Sequence, residues 1–241
     1  MPTPHPLSRL DTPPDLVEQV YRKLLDAISD GSMAPGTRLT QEEVAERLAV
    51  SRQPVLQALR QLRSDGLVQD ALGPQGQKGR GVIVTPIDAT TVTQVYEVRS
   101  ALDAQAARLA ARRRARIPTT LIAAGRQAAA EGHVKAMIDA DLAYHRAIYQ
   151  ASGNPLIEAS ALLHWHHIRR AMGAVLQHST LRTSAWDEHA ALCDAIARGD
   201  EDTAGRLMLT HGTQASANLA RLLRNAGDDT ESARIGPEEK S

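Results

Sequence analysis

Thr40-Gln41-Glu42-Glu43-Val44-Ala45-Glu46-Arg47-Leu48-Ala49-Val50-Ser51-Arg52-Gln53-Pro54-Val55-Leu56 is the stretch that decides the fold. Thr40 with Glu43 three residues on is a capping-box pattern, so a helix starts there. Val44, Ala45 and Leu48 share one face of it. A short break at Ala49-Val50 leads to Ser51, a second N-cap. Pro54 falls in the first turn of the next helix, where its missing N–H costs nothing. Val55, Leu56, Leu59 and Leu62 carry that helix to Asp65-Gly66. Two short helices joined by so tight a break form a helix-turn-helix.

Outward from this pair the pattern continues. Upstream, Leu16, Val20, Leu24 and Ile28 recur every four residues, an amphipathic helix closed by Gly31 and Ala34-Pro35-Gly36-Thr37. Downstream, Leu67-Val68 and Val82-Ile83-Val84 read as a two-stranded wing around the loop 73–79. Residues 14–86 are therefore expected to form a winged helix-turn-helix. From 87 to 226 there are no strand signals, and breaks at Pro118, Gly132, Gly153-Asn154-Pro155, 179–183 and Gly199-Asp200 predict six helices, at about 88–115, 118–131, 133–151, 155–178, 183–198 and 201–225. The fold class is thus mostly α. The proline-rich leader 1–13 and the polar segment 227–241 are read as disordered.

Composition narrows the functions. Among 241 residues there is no Phe, only 2 Trp and 4 Tyr, so a base-stacking nucleic-acid binder is excluded. No apolar run is long enough to span a membrane, and Met1–Pro6 does not read as a signal peptide. One cysteine, Cys193, fits a reducing cytoplasm. Lys+Arg and Asp+Glu both number 28, yet over residues 38–80 seven bases meet five acids, a local balance of +2. In a winged helix the second helix of the pair enters the major groove. Ser51, Arg52 and Gln53 at its start, with Arg38, Arg60, Lys78 and Arg80 around it, are the candidate contacts to phosphates and base edges. A dimer on a palindromic double-stranded operator doubles those contacts.

The helical part carries a second constellation. Asp141 and His145 are spaced i, i+4 on an inward face, and His189 and His211 lie on the apolar stripes of the last two helices. A lone histidine on such a face is usually a hydrogen-bonded core residue. Three helices each offering a ligand-type side chain suit a divalent transition metal, Zn first, with Ni, Mn or Fe as alternatives. Arg99, on an otherwise apolar face, needs an anionic partner, either Asp103 one turn on or the carboxylate of a ligand. One of His164 and His167 is a candidate for the pocket wall. Arg112-Arg113-Arg114 with Arg116 reads as a solvated helix end.

Residues 14–86 resemble the N-terminal domain of the GntR superfamily of bacterial transcription regulators, through Pro35-Gly36-Thr37-Arg38-Leu39, Ala45–Val55, Ala58-Leu59-Arg60-Gln61-Leu62 and Asp65-Gly66-Leu67-Val68. The family usually has arginine where Leu56 stands and often where Glu42 stands, which places more of the DNA readout on Arg52. Residues 90–225 resemble the family's FCD effector domain, through Asp141-x-x-x-His145, Glu188-His189, His211, Gly199-Asp200 and Arg99 with Asp103. The count of six helices is similar to the VanR-like subgroup. The resemblance implies a homodimeric cytoplasmic regulator, not an enzyme, in which a small carboxylate effector bound at the metal and Arg99 relieves repression. Two rivals stand beside it, a regulator answering to the metal itself and a metal-dependent hydrolase fused to a winged helix.

Overall fold

The computed structural model describes residues 15–73, 76–176 and 184–234, so the proline-rich leader lies outside it. The chain divides into two compact units, one comprising the chain up to Ile28 with Met33–Thr85, the other Ser29–Ser32 with everything from Pro86.

The first unit orders α1 (Leu16–Ser29), β1 (Arg38–Leu39), α2 (Gln41–Leu48), α3 (Arg52–Ser64), β2 (Val68–Leu72) and β3 (Lys78–Val84). The capping box of α2 forms: the Glu43 N–H donates to Thr40 Oγ1 and the Glu43 carboxylate accepts from the Thr40 N–H. Ala49 ends α2 in the left-handed region, φ 53°, which folds the chain back into α3 within two residues. Ser51 takes the N-cap position of α3 by its backbone alone, since its hydroxyl makes no capping bond. A core of Val20, Leu24, Ile28, Val44, Val55, Leu59, Leu62 and Leu67 joins the three helices to the sheet. The Tyr21 hydroxyl donates to Asp65, tying α1 to the end of α3.

The wing has one strand more than the sequence suggested. The sheet order is β1-β3-β2, all antiparallel, with Arg38 opposite Ile83 and Val68 opposite Val84. β1 is two residues long and pairs with a strand more than forty positions away, so no local pattern announces it.

The second unit holds α4 (Ala89–Arg112), α5 (Thr119–Glu131), α6 (Val134–Ser152), α7 (Pro155–Leu162), α8 (Trp165–Val175), α9 (Ser184–Arg198) and α10 (Glu201–Arg234). The described residues thus show seven helices, not the expected six, and the helix count no longer argues for the six-helix subgroup. The stretch 155–178 breaks at Leu163-His164, where the His164 N–H turns back to Ala161 O in a tight i, i−3 bond. No Gly or Pro marks this break. It buries Trp165, 3% exposed, among Val92, Val95, Tyr96 and Ile168. At the other end α10 runs to Arg234, into the segment read as disordered from 227, because no proline intervenes before Pro237.

With no Phe available, the bundle closes on small residues. Ala106, Ala107, Ala110 and Ala111 of α4 are fully buried. Opposite them α10 offers Gly205 and Gly212, where an added Cβ would overlap Arg108 and Ser100. This close approach brings α4 and α10 near enough to share a site.

Candidate metal and effector site

α6 presents Asp141 and His145 from successive turns, α9 presents His189, and α10 presents His211. One ligand atom from each lies within 4.8 Å of all the others. His145 and His189 are completely buried. Both nitrogens of His145 and Nδ1 of His189 make no hydrogen bond. A buried polar atom left unpaired costs about 1–3 kcal/mol. Two of the rings also turn their Nε2 atoms toward each other, His189 to His211 at 3.2 Å. The Nε2 atoms of His189 and His145 stand 3.7 Å and 3.8 Å from Asp141 Oδ1. Converging imidazole nitrogens around one carboxylate are the donor set of a borderline divalent ion, and His145 Nε2, orphaned beside Asp141, supplies a lone pair with no other use. The residues therefore fit a metal.

Electrostatics favours the state such a site requires. Burial, with His211 and Arg99 adding to it, pushes the His189 imidazolium down to about 2. Burial holds His145 well below the usual imidazole range, with Arg99 reinforcing it. Both rings are thus neutral, lone pairs available. Burial raises the Asp141 carboxyl, against the pull of Arg99 and His211; a cation would reverse that.

A second set of groups fixes the ring orientations. Glu188 Oε2 lies 2.6 Å from His211 Nδ1, which turns Nε2 of that ring to the cluster. Asp103 Oδ2 lies 3.4 Å from His145 Nδ1, facing that ring without a hydrogen bond. A carboxylate behind a ligating imidazole is the usual way its tautomer is set. Tyr144 stacks on His189 at 4.0 Å, and Trp186 meets that ring edge-on at 4.8 Å. Trp186 in turn fills the space that a side chain at Gly125 would need.

Arg99 is 2% exposed. Its Nε lies 3.0 Å from Asp103 Oδ2, and its guanidinium sits 4.1 Å above the Trp165 ring. The salt bridge considered in the sequence thus exists, and Arg99 nonetheless lines a cavity of about 130 Å³ with Asp141 and His211. None of His164, His166 and His167 lines that cavity. Cys193 is half-buried and lies outside the cluster of donors. Within the arginine run, Arg112 is exposed and forms a two-pronged pair with Glu201.

Sequence reasoning missed Tyr149, Trp165 and Tyr144. It noticed Glu188 only as the neighbour of His189, whereas it serves His211.

In the first unit, Arg52, Gln53, Arg60 and Arg80 are exposed, as is Ser51. Arg38 donates twice to Arg80 O, so it braces the wing rather than standing free. Glu42 Oε1 lies 3.3 Å from an Arg52 Nη and 3.8 Å from an Arg80 Nη. Arg63 is paired with Asp70 at 2.7 Å. The side chain of Lys78 lies outside the described residues.

Residues 16–74 match the model of the bacterial regulatory proteins of the gntR family, and residues 94–214 match the FCD domain. The chain is a GntR-family transcription regulator with an FCD domain. Regulators of the GntR family bind DNA. A relative from Streptomyces ambofaciens, a helix-turn-helix transcriptional regulator, is 27% identical over 80% of each chain. The repressor RspR of Escherichia coli K12 is 39% identical over 39% of each. The chain spans about two fifths of the length of the Bacillus subtilis regulator YdhC, at 31% identity. Among solved structures, Escherichia coli McbR/YncC superposes with a TM-score of 0.70 at 21% identity, over 86% of this chain and 97% of that one. A GntR regulator from Rhodococcus sp. RHA1 gives 0.68 at 25%, over 84% and 96%. Among the described residues no helix is long and apolar enough to cross a membrane.

Proposed function

We propose that this GntR regulator is a homodimeric cytoplasmic repressor, released from a palindromic operator by a carboxylate metabolite held at a metal site. The observation that carries the reading is one shared cavity. Arg99, a buried cation, opens onto it beside Asp141 and His211, two members of the converging donor cluster. Asp141, His145, His189 and His211 would hold the ion, Zn²⁺ first, with Ni, Mn or Fe as alternatives. When bound, the ion supplies a fixed positive charge with coordination positions left for an anion.

The chain's own groups do the rest. The Arg99 guanidinium is always charged and its planar fork matches a carboxylate. Asp103 holds that fork in place, and Glu188 holds the ring of His211. On the DNA side, Arg52 and Gln53 at the start of α3 reach base edges. Ser51, Arg60, Lys78 and Arg80 reach phosphates, and Arg38 positions the wing through Arg80. Two-fold protein symmetry matches a two-fold operator. The relative named a repressor, RspR, supports the sign of regulation. The ligand acts only if it binds the state released from DNA better than the bound state.

The test is operator affinity. An operator selected from random duplexes is titrated with the full chain carrying Zn²⁺, with and without added carboxylates, and after chelation. A carboxylate that weakens binding only in the Zn²⁺ form supports the proposal. If chelation and every carboxylate leave the affinity unchanged, it fails. If chelation alone changes it and no carboxylate does, the ion itself is the signal.

A further inference from the structure

The cavity is longer than its charged floor requires. It follows one stripe of α10, from His211 through Gln214 and Asn218 to Leu219 and Leu222. At 1.5 Å per residue, His211 and Leu222 stand about 16 Å apart along the helix. The chemistry changes over that length. The floor is Arg99, Asp141 and His211. One to two turns above, Gln214 and the half-buried Asn218 present side-chain amides, and neither makes a hydrogen bond within the described residues. Beyond them Leu219 and Leu222 face Met172 and Leu176 of the segment running out of α8.

A short polar acid would use the floor and leave the rest to water. In a chain with no Phe, a pocket defined mainly by His, Asp and Arg would favour just such a ligand. The apolar end is built from Leu and Met instead. Buried apolar surface gains about 25 cal/mol per Å² only when the ligand covers it. Gln214 is exposed and keeps its water, whereas the half-buried Asn218 amide pairs best with a donor or acceptor carried by the ligand.

We infer that the effector is an elongated amphipathic monocarboxylate, with a hydrogen-bonding group such as an amide part-way along and an aliphatic end. This rests on the proposed carboxylate site and specifies its ligand. Arg99 takes the carboxylate, Asn218 the polar group, and Leu219, Leu222 and Met172 the tail.

Four probes separate the contributions, each titrated calorimetrically against the Zn²⁺-loaded full chain. Acetate has the head alone, gluconate a head and hydroxyls, octanoate a head and tail, and N-hexanoylglycine all three. Octanoate is expected to bind at least about a hundredfold tighter than acetate, and N-hexanoylglycine tighter still, with gluconate near acetate. Asn218→Leu should erase the advantage of N-hexanoylglycine over octanoate, and Leu222→Asn should weaken octanoate while sparing acetate. Carboxylates that bind with the same affinity whatever their tail, or gluconate binding tighter than octanoate, overturn this inference and leave the carboxylate site standing. Failure of all four probes to bind overturns both.

Discussion

Glu42→Gln removes a carboxylate shared by two guanidiniums proposed to meet DNA. Glu42 Oε1 sits 3.3 Å from Arg52 and 3.8 Å from Arg80, with both arginines exposed and Glu42 partly so. Exposed pairs of this kind are worth about 0.2–1 kcal/mol each. DNA must break or share both before either arginine reaches a phosphate. Their removal should therefore tighten binding to random-sequence duplex by about 0.4–2 kcal/mol, roughly 2- to 30-fold per protomer. If each arginine then gains one phosphate, the slope of log affinity against log salt steepens by about 1.8 per protomer. Base-specific contacts gain less, so the ratio of operator to random-DNA affinity should fall. Fluorescence anisotropy between 50 and 200 mM salt reads all three quantities. Glu46→Gln is the control, because it removes the same charge from an exposed position on α2 that has no ion pair within the described residues. Equal effects of the two substitutions would reduce the argument to net charge. Unchanged or weaker binding of Glu42→Gln would refute it.

Three further outcomes follow from the geometry. Saturating Zn²⁺ at a hundred times its Kd should stabilise the protein by about 2.7 kcal/mol, and His189→Ala should abolish that shift in a thermal melt; a variant that keeps it removes His189 from the site. Gly125→Ala drives a methyl into the Trp186 ring and should cost about 1–3 kcal/mol. It should also lower Zn²⁺ affinity, because that ring backs His189; unaltered melting and metal titration would show that α5 yields freely. Asp88 caps α4 by accepting the Thr91 N–H, which holds its carboxyl below the ordinary 3.8. A depressed folded pKa stabilises above the unfolded value and is lost as pH falls through the folded one. Asp88→Ala should thus cost about 1 kcal/mol at pH 7, with the gap closing below about pH 4; denaturant melts of the metal-free protein showing the same gap at pH 3 would contradict this.

The parts legible in the sequence were those written in local chemistry. Thr40 with Glu43 and Pro54 after Ser51 mark helix starts within a few residues, so the helix-turn-helix could be read directly. Asp141 and His145 are one turn apart, so their shared face followed from helix geometry, and His189 and His211 followed from the apolar stripes around them. What escaped was set by distant contacts. β1 exists only because β3 lies beside it. The break at Leu163-His164 has no residue that demands it and follows from placing Trp165 in the core and over Arg99. Asp103 was weighed as a partner for Arg99 alone, because nothing one turn away on α4 reveals that α6 brings His145 to the same oxygen. Glu188 sits beside His189 in the chain, but adjacent helical residues diverge, and its carboxylate faces α10.

Under the proposed function, that shared oxygen links the two ligands. Asp103 Oδ2 faces Arg99 at 3.0 Å and His145 at 3.4 Å, while its other oxygen accepts the Tyr149 hydroxyl. A ligand pulling on Arg99 would alter the carboxylate facing His145, and an ion drawing on His145 would alter the clamp that holds Arg99. By thermodynamic reciprocity, each must change the other's affinity by the same factor. Asp103 would then act as a gain control: the dose of metabolite needed to free the genes would rise or fall with the cell's supply of metal. Asp103→Asn would flatten that dependence, leaving a regulator that answers to its metabolite alike in metal-rich and metal-starved cells.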